Sequence, residues 1–245
     1  MLYDNTGDNL NSGFYKDIDT NFEEACIMSE KDFSHKELIE MLKNGNIPQK
    51  QIAALMLDCI NSQEDAKILV SNLTGCDGKI REAVALKINQ LVKQGFCEYF
   101  YSYPQIFADA TIDINGNICR LIVDSLTNFQ TDSDFYNAYL NRIFDYIQEA
   151  FNSLDKIIYK DKKYTINKQL FKLYWCLEAL KAYTRKIPHE KLFPILERTS
   201  SEREYTIREK TAQIVALIDD DKFSEIKNKL KNDENYYVRA ALKQN

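Results

Sequence analysis

The sequence predicts an all-α protein, an α-solenoid of about five to six antiparallel helix pairs. Three observations predict it. First, a helix opening made of an apolar residue and an arginine recurs along the chain. It reads Ile80-Arg81 in KIREAVALKINQL, Ile207-Arg208 in TIREKTAQIVALI and Val238-Arg239 in YVRAALKQN, with fainter copies at Ile52 and Ile118. Self-similarity at a spacing of roughly 30–50 residues marks stacked units rather than one closed core. Second, Ile80, Ala83, Val84, Ile88 and Leu91 fall on one helical face, and Ile118, Leu121, Ile122, Leu126 and Phe129 fall at the same offsets. Gly78 and Gly116 precede the two sets at the same distance. Third, the chain has only seven Gly and four Pro in 245 residues. So few turn formers suit long helices with short connections and argue against a many-stranded β architecture.

Residues 1–33 are expected to be a polar tail or cap, rich in Asn, Asp and Gly, with one short helix at Phe22–Met28 capped by Thr20 or Asn21. The repeat proper spans 34–245. Ser34 opens HKELIEMLKN with Glu37 three residues on, the spacing of a capping box, and Asn44-Gly45-Asn46 stops that helix. Pro48 suits the start of QKQIAALMLDCI, expected to be helical through Ile60. Ser62 caps AKILVSNL, and Thr74–Gly78 turns into the helix opened by Ile80-Arg81. The third unit centres on Ile118. Asp132 or Ser133 caps a long helix to about Phe151, and a connection around Tyr159–Thr165 leads to KQLFKLYWCLEALKAY. Pro188 starts HEKLFPILERT, followed by TIREKTAQIVALI. Asp219–Asp221 caps KFSEIKNKLKN, followed by YYVRAALKQN. That last copy is short, and the expectation is that Val238, Ala241 and Leu242 are thinly covered, because the chain is truncated or a partner docks there.

These openings resemble those of HEAT repeats, the helix-pair units of armadillo-like α-solenoids. The resemblance covers roughly 34–245 and is carried by Asp77 before Arg81, Glu204 before Arg208 and Asp233 before Arg239. Cys119 stands where the pattern expects Arg, and the first and fourth units lack the pair. The resemblance implies a right-handed solenoid. It also implies that each turn carboxylate accepts from the guanidinium and ties the turn to the next unit. The arginines are therefore expected to be structural.

The bulk numbers exclude several classes of function. A net charge of −5 disfavours nonspecific nucleic-acid binding, which needs clustered Lys and Arg. No apolar run approaches the roughly 18 residues of a membrane span, and the first residues carry acid where a signal peptide carries base. The expected location is the cytoplasm. Cys26, Cys59, Cys76, Cys97, Cys119 and Cys176 form no C-x-x-C pair and read as small buried hydrophobes in a reducing compartment; a disulfide framework is the lesser reading. His35 and His189 each sit in the first turn of a helix, in exposed polar roles, with no nucleophile motif beside them. Asp113–Asn117 is an Asn-Gly turn, because a calcium loop would need Glu where Ile122 stands. No phosphate-cradling glycine motif is present. No catalytic residue, metal ligand or cofactor is expected.

What remains is binding. Stacked second helices line a concave face in solenoids, and the polar residues off the apolar phase there are Glu82, Asn89, Lys93, Lys168, Lys172, Glu178, Glu209 and Gln213, together with Trp175. This mixed-charge set suits a protein or peptide partner and a non-catalytic scaffold or adaptor role. The basic, aromatic segment 155–186 reads first as a solvated helix face with a packed aromatic side, and otherwise as a surface for phosphate and stacked bases. A second reading is a nucleic-acid enzyme resembling the HEAT-like alkylpurine DNA glycosylases, with Trp175 and Glu178 as its aromatic and carboxylate. A third, by analogy alone, is a protein resembling the HEAT-like phycobilin lyases. The run Phe96, Tyr99, Phe100, Tyr101 and Tyr103 cannot all be buried by one helix, so one or two are expected to be exposed or to line a groove.

Overall fold

The computed structural model describes residues 12–129, 132–156 and 163–243, and these are helical throughout, with no strand among them. The chain divides into two compact units, Met1–Tyr99 and Phe100–Asn245. The first holds α1 (Ser12–Ser29), α2 (His35–Asn44), α3 (Ile47–Met56), α4 (Gln63–Ser71) and α5 (Gly78–Lys93). The second holds α6 (Pro104–Thr111), α7 (Gly116–Ser125), α8 (Ser133–Asp155), α9 (Lys163–Tyr183), α10 (His189–Thr199), α11 (Tyr205–Ala216), α12 (Ser224–Lys231) and α13 (Tyr236–Ala241). From α2 onward the helices form consecutive pairs. Helices α3 and α5 pack on each other in the first unit, and α9, α11 and α13 pack in series in the second.

One turn design recurs four times. Asp77, Asn115, Glu204 and Asn235 are the N-caps of α5, α7, α11 and α13, and each side chain accepts from the backbone N–H two residues on. Such caps satisfy donors that the first turn of a helix cannot pair internally. Four residues after each cap, a side chain folds back on the carbonyls of the turn. Arg81 Nη1 donates to Gly75 O at 2.8 Å and Cys76 O at 3.1 Å. Arg208 Nη1 donates to Glu202 O at 2.8 Å and Arg203 O at 2.9 Å. Arg239 Nη1 donates to Asp233 O and, at 2.8 Å, to Glu234 O. In α7 the Cys119 thiol reaches the carbonyl of Asp113, six residues back, at 3.1 Å. Cysteine is thus a short donor in the arginine's place, and the third unit keeps the design.

Asp77 and Glu204 therefore have a different role from the one the repeat pattern implies: they cap α5 and α11, while Asp233 does accept from a guanidinium, that of Arg208 in the preceding turn. Arg208 makes a link between successive units. Arg208 Nε and Nη2 reach the Asp233 carboxylate at 2.7 and 3.0 Å, joining the α11 turn to the α13 turn. Both side chains are only 9% exposed. The pairing holds the Asp233 carboxyl below the usual carboxylate range.

The two histidines join the first helices of successive pairs in the same way. His35, the first residue of α2, bonds through Nε2 to Asp65 Oδ2 at 3.0 Å, at the start of α4. His189, the first residue of α10, bonds through Nδ1 to Asp220 Oδ2 at 2.6 Å, just before α12. These are structural ties and not the solvent-facing roles expected.

The cores differ between the units. Leu38, Leu42, Ala53, Leu69, Val84, Ile88 and Leu91 fill the first. An aromatic column fills the second: Phe107 meets Phe129 edge-on at 5.1 Å, Phe129 stacks on Phe135 at 4.4 Å, and Tyr139 lies 6.0 Å from Tyr183. Buried phenols need partners. The Tyr139 hydroxyl pairs with Thr111 Oγ1 at 2.7 Å, and the Tyr183 hydroxyl donates to Leu126 O at 3.2 Å.

Several local expectations are corrected. Helix α1 runs from Ser12, well before Phe22; the stretch contains no proline, and its only glycine, Gly13, lies in the first turn. Helix α3 stops at Met56, where Leu57 turns extended, and Leu57 and Ile60 are buried without helical backbone. The aromatic run 96–103 is not one helix but a 3-10 turn at Cys97–Phe100 followed by α6, so Phe100 is buried and its four neighbours are half-buried. Cys26 and Cys76 are exposed; only Cys119 and Cys176 are buried. Val238 and Ala241 are covered within the chain, 0% and 4% exposed, because α13 packs on α11 and α12. The connection expected around Tyr159–Thr165 falls largely on 157–162, outside the described residues.

Candidate functional site

In the second unit the polar residues of the second helices turn inward on each other. Lys172 of α9 reaches Glu149 of α8 at 3.1 Å and lies 4.9 Å above the Tyr146 ring, whose other contact is the Arg142 guanidinium at 4.2 Å. The Tyr146 phenol donates to Asp109. One turn further along, Glu178 of α9 pairs with Lys210 of α11, with Lys181 at 3.9 Å. Burial alone would lower the Lys210 pKa, but the Glu178 carboxylate outweighs it and raises it. Gln213 accepts from Lys181 at 2.8 Å and from Lys210 at 3.3 Å, and donates to Glu209 at 3.2 Å. Lys172 and Glu178 therefore belong to a ladder that crosses from α8 to α11, with their charges matched by Glu149 and Lys210, and Gln213 bonds to Glu209 along α11.

The other expected residues separate. Asn89 is 5% exposed, because α5 is packed on more than one side, and so it is not available to a partner. Glu82 is half-buried beside a small cleft shared with Gln51, Leu55 and Lys79. Lys93 and Lys168 are exposed. Trp175 is half-buried, and it alone of the set lies at an open groove.

That groove lies between α9 and the N-terminal turn of α11. Its volume is about 450 Å³, and its lining is Asn167, Leu170, Phe171, Tyr174, Trp175, Glu204 and Thr206. The three rings brace each other edge to face, Phe171 to Trp175 at 6.2 Å and Tyr174 to Trp175 at 5.2 Å. Gly116, the first residue of α7, closes one side: a Cβ there would lie 3.7 Å from Trp175 Cζ2. The indole Nε1 is buried without an acceptor, as is the Gln169 Oε1 without a donor.

The groove belongs to a longer aromatic rim. Among the described residues of the second unit, the large apolar side chains left exposed are Ile114, Phe171, Tyr205, Tyr236 and Tyr237. Ile114 precedes α7, Phe171 lines the groove, Tyr205 opens α11, and Tyr236 and Tyr237 open α13. Tyr237 stacks on Tyr205 at 6.3 Å and meets Tyr236 at 5.6 Å, and Tyr236 and Tyr237 remain 67% and 60% exposed. Periodicity did not single out this rim. Helix α9 carries apolar or aromatic residues on almost every side, which blurs its phase, and the tyrosines sit in turns where no helical phase applies.

Among the described residues, no group of three or more His, Cys, Asp or Glu is placed to hold a metal ion, and no helix is long and apolar enough to cross a membrane. No protein-family model matches the sequence, and no curated protein matches it. Two engineered solved structures are similar to the chain. One is a designed armadillo repeat protein, YIII(Dq)4CqI, 11% identical, covering 86% of this chain and 99% of its own, with a TM-score of 0.48. The other is an engineered protein solved by a structural genomics consortium, 11% identical, covering 86% of this chain and 94% of its own, with a TM-score of 0.46. The chain is an all-helical repeat among its described residues, built on the four matching turns described above.

Proposed function

We propose that this chain is a non-catalytic scaffold or adaptor that binds a polypeptide along the aromatic rim of α9, α11 and α13. The observation that supports this reading is the concentration of exposed rings at Phe171, Tyr205, Tyr236 and Tyr237. Exposed apolar side chains scattered singly need no explanation, whereas a clustered patch marks an interaction site. Tyrosine and tryptophan supply contact area at low entropic cost. The charged ladder behind the rim fixes the helices that present it, so the docking surface is pre-formed and ordering it on binding costs little. Among the described residues the groove is lined by no cation, which favours a polypeptide there over a phosphate backbone. A reducing, cytoplasmic setting is part of the reading, in keeping with six free cysteines.

The test is a peptide array probed with the full chain. Wild type is expected to bind a subset of sequences, and a Phe171→Ser/Tyr237→Ser variant with an unchanged far-UV spectrum is expected to lose them. Retention of every bound sequence by that variant would remove the rim from the account.

A further inference from the structure

Resting on that docking reading, we infer that the α9–α11 groove receives a cationic side chain of the bound polypeptide, held between aromatic faces and the Glu204 carboxylate. Two properties of the lining lead to this. Phe171, Tyr174 and Trp175 all line the groove, with the Phe171 and Tyr174 rings at interplanar angles of 71° and 86° to the Trp175 ring. The face of an aromatic ring is the negative part of its quadrupole and attracts cations, with Trp the strongest. The one ionisable acid or base among the lining residues with a charge at neutral pH is Glu204. A carboxylate beside aromatic faces in a partly dehydrated groove selects for positive charge and against negative charge.

The carboxylate has capacity to spare. Glu204 accepts from Thr206 N at 3.5 Å and Thr206 Oγ1 at 3.3 Å, both through Oε1, and its second oxygen has no hydrogen bond within the described residues. The same aromatic cluster already holds a cation internally: Lys210 Nζ lies 5.0 Å from the Tyr174 ring centroid. That charge is matched by Glu178, so it does not cancel the preference of the groove. A volume of about 450 Å³ accommodates an arginine or lysine side chain with its stem lying along Leu170 and Phe171. Arginine suits the site best, because its plane stacks on rings while its fork meets a carboxylate.

Trp175 is the only tryptophan in the chain, so its emission reports on the groove directly. The full chain would be titrated with capped heptapeptides that differ at one central residue: arginine, citrulline (the neutral isostere) or glutamate. The arginine peptide is expected to perturb Trp175 emission with an affinity about tenfold above the citrulline peptide, and the glutamate peptide to bind most weakly. Glu204→Gln keeps an acceptor for Thr206 and is expected to reduce the arginine preference to the part carried by the rings while leaving citrulline binding unchanged. Equal binding of arginine and citrulline peptides, or an arginine preference that Glu204→Gln does not reduce, would overturn the cation inference and leave the docking reading standing. No Trp175 response to any of the three, together with unchanged array binding by a Phe171→Ser variant, would overturn both.

Discussion

Replacing Arg208 with alanine tests the turn design at its strongest point. The substitution deletes the two bonds to Asp233 at 2.7 and 3.0 Å and the two to the turn carbonyls at 2.8 and 2.9 Å. It also leaves the Asp233 carboxylate, 9% exposed, with the Asn235 backbone N–H at 2.8 Å as its remaining hydrogen bond. Breaking a buried pair by removing one partner costs roughly 3–5 kcal/mol, and a pair that keeps slight exposure falls at the lower end, about 3 kcal/mol. Arg239→Ala provides the internal comparison. Among the described residues Arg239 bonds to two turn carbonyls and acts on Asp233 only electrostatically, with no hydrogen bond to a carboxylate, and its loss should cost about 1–2 kcal/mol. Because the chain has two compact units, global unfolding need not be two-state. The sharper assay is native-state hydrogen exchange of α11 and α13, supported by urea titration and an Arg208/Asp233 double-mutant cycle. If Arg208→Ala cost no more than Arg239→Ala, or if the cycle showed no coupling, the inter-unit tie would be refuted.

The remaining predictions address pH, thiols and backbone. The Asp233 carboxyl is held low first by its bond from Arg208; its contribution is present above the unfolded carboxyl value, near pH 4. It is lost as pH falls through the lower folded value, so Asp233→Asn should flatten the acid dependence of the second unit. Asp65 and Asp220 are likewise held low, with burial opposing the bonds from His35 and Ser62 at the first and the Lys222 N–H and His189 lowering the second. His189→Ala should raise exchange rates in α10 and α12 selectively. The Cys119 thiol is pushed up to about 12 by burial, with Asp113 adding to it; alkylation at pH 8 read by mass spectrometry should modify Cys26 and Cys76 first and leave Cys119 and Cys176 until unfolding. Gly95 has φ of +100° with open space around its missing Cβ, so Gly95→Ala should cost about 1–2 kcal/mol by backbone strain alone, read as a shift in the denaturation midpoint.

Much of the fold was legible because helix pairs write themselves locally. Ser34 with Glu37, Asp77 before Ile80-Arg81 and Asp132 before the long helix are short-range signals, and caps formed at each of them. The role of Arg208 was half legible. A turn acid four residues away is visible in sequence, but the carbonyls six and five residues back, and Asp233 twenty-five residues ahead, are fixed only when the turns stack. Cys119 was read as a departure from the pattern, because residue identity hides that a thiol and a guanidinium can donate to the same carbonyl. The binding residues were least legible. Selecting polar positions off the apolar phase found Lys172, Glu178, Glu209 and Gln213, whose partners are Glu149, Lys210, Lys181 and one another within the same chain. The exposed rings were passed over because aromatic residues at helical spacing ordinarily mark a core. Trp175 was the point of overlap, picked for its chemistry and found at the groove.

The most direct test of the central claim is site-specific photocrosslinking with benzoylphenylalanine in place of Phe171, Tyr237 or, as a control that is not a rim residue, the exposed Lys36 of the first unit. The bait is a peptide selected on the array, carrying a mass tag. The account predicts adducts at both rim positions, competed by unlabelled peptide, and none at position 36. Equal yields at all three positions, or adducts at 36 alone, would contradict it.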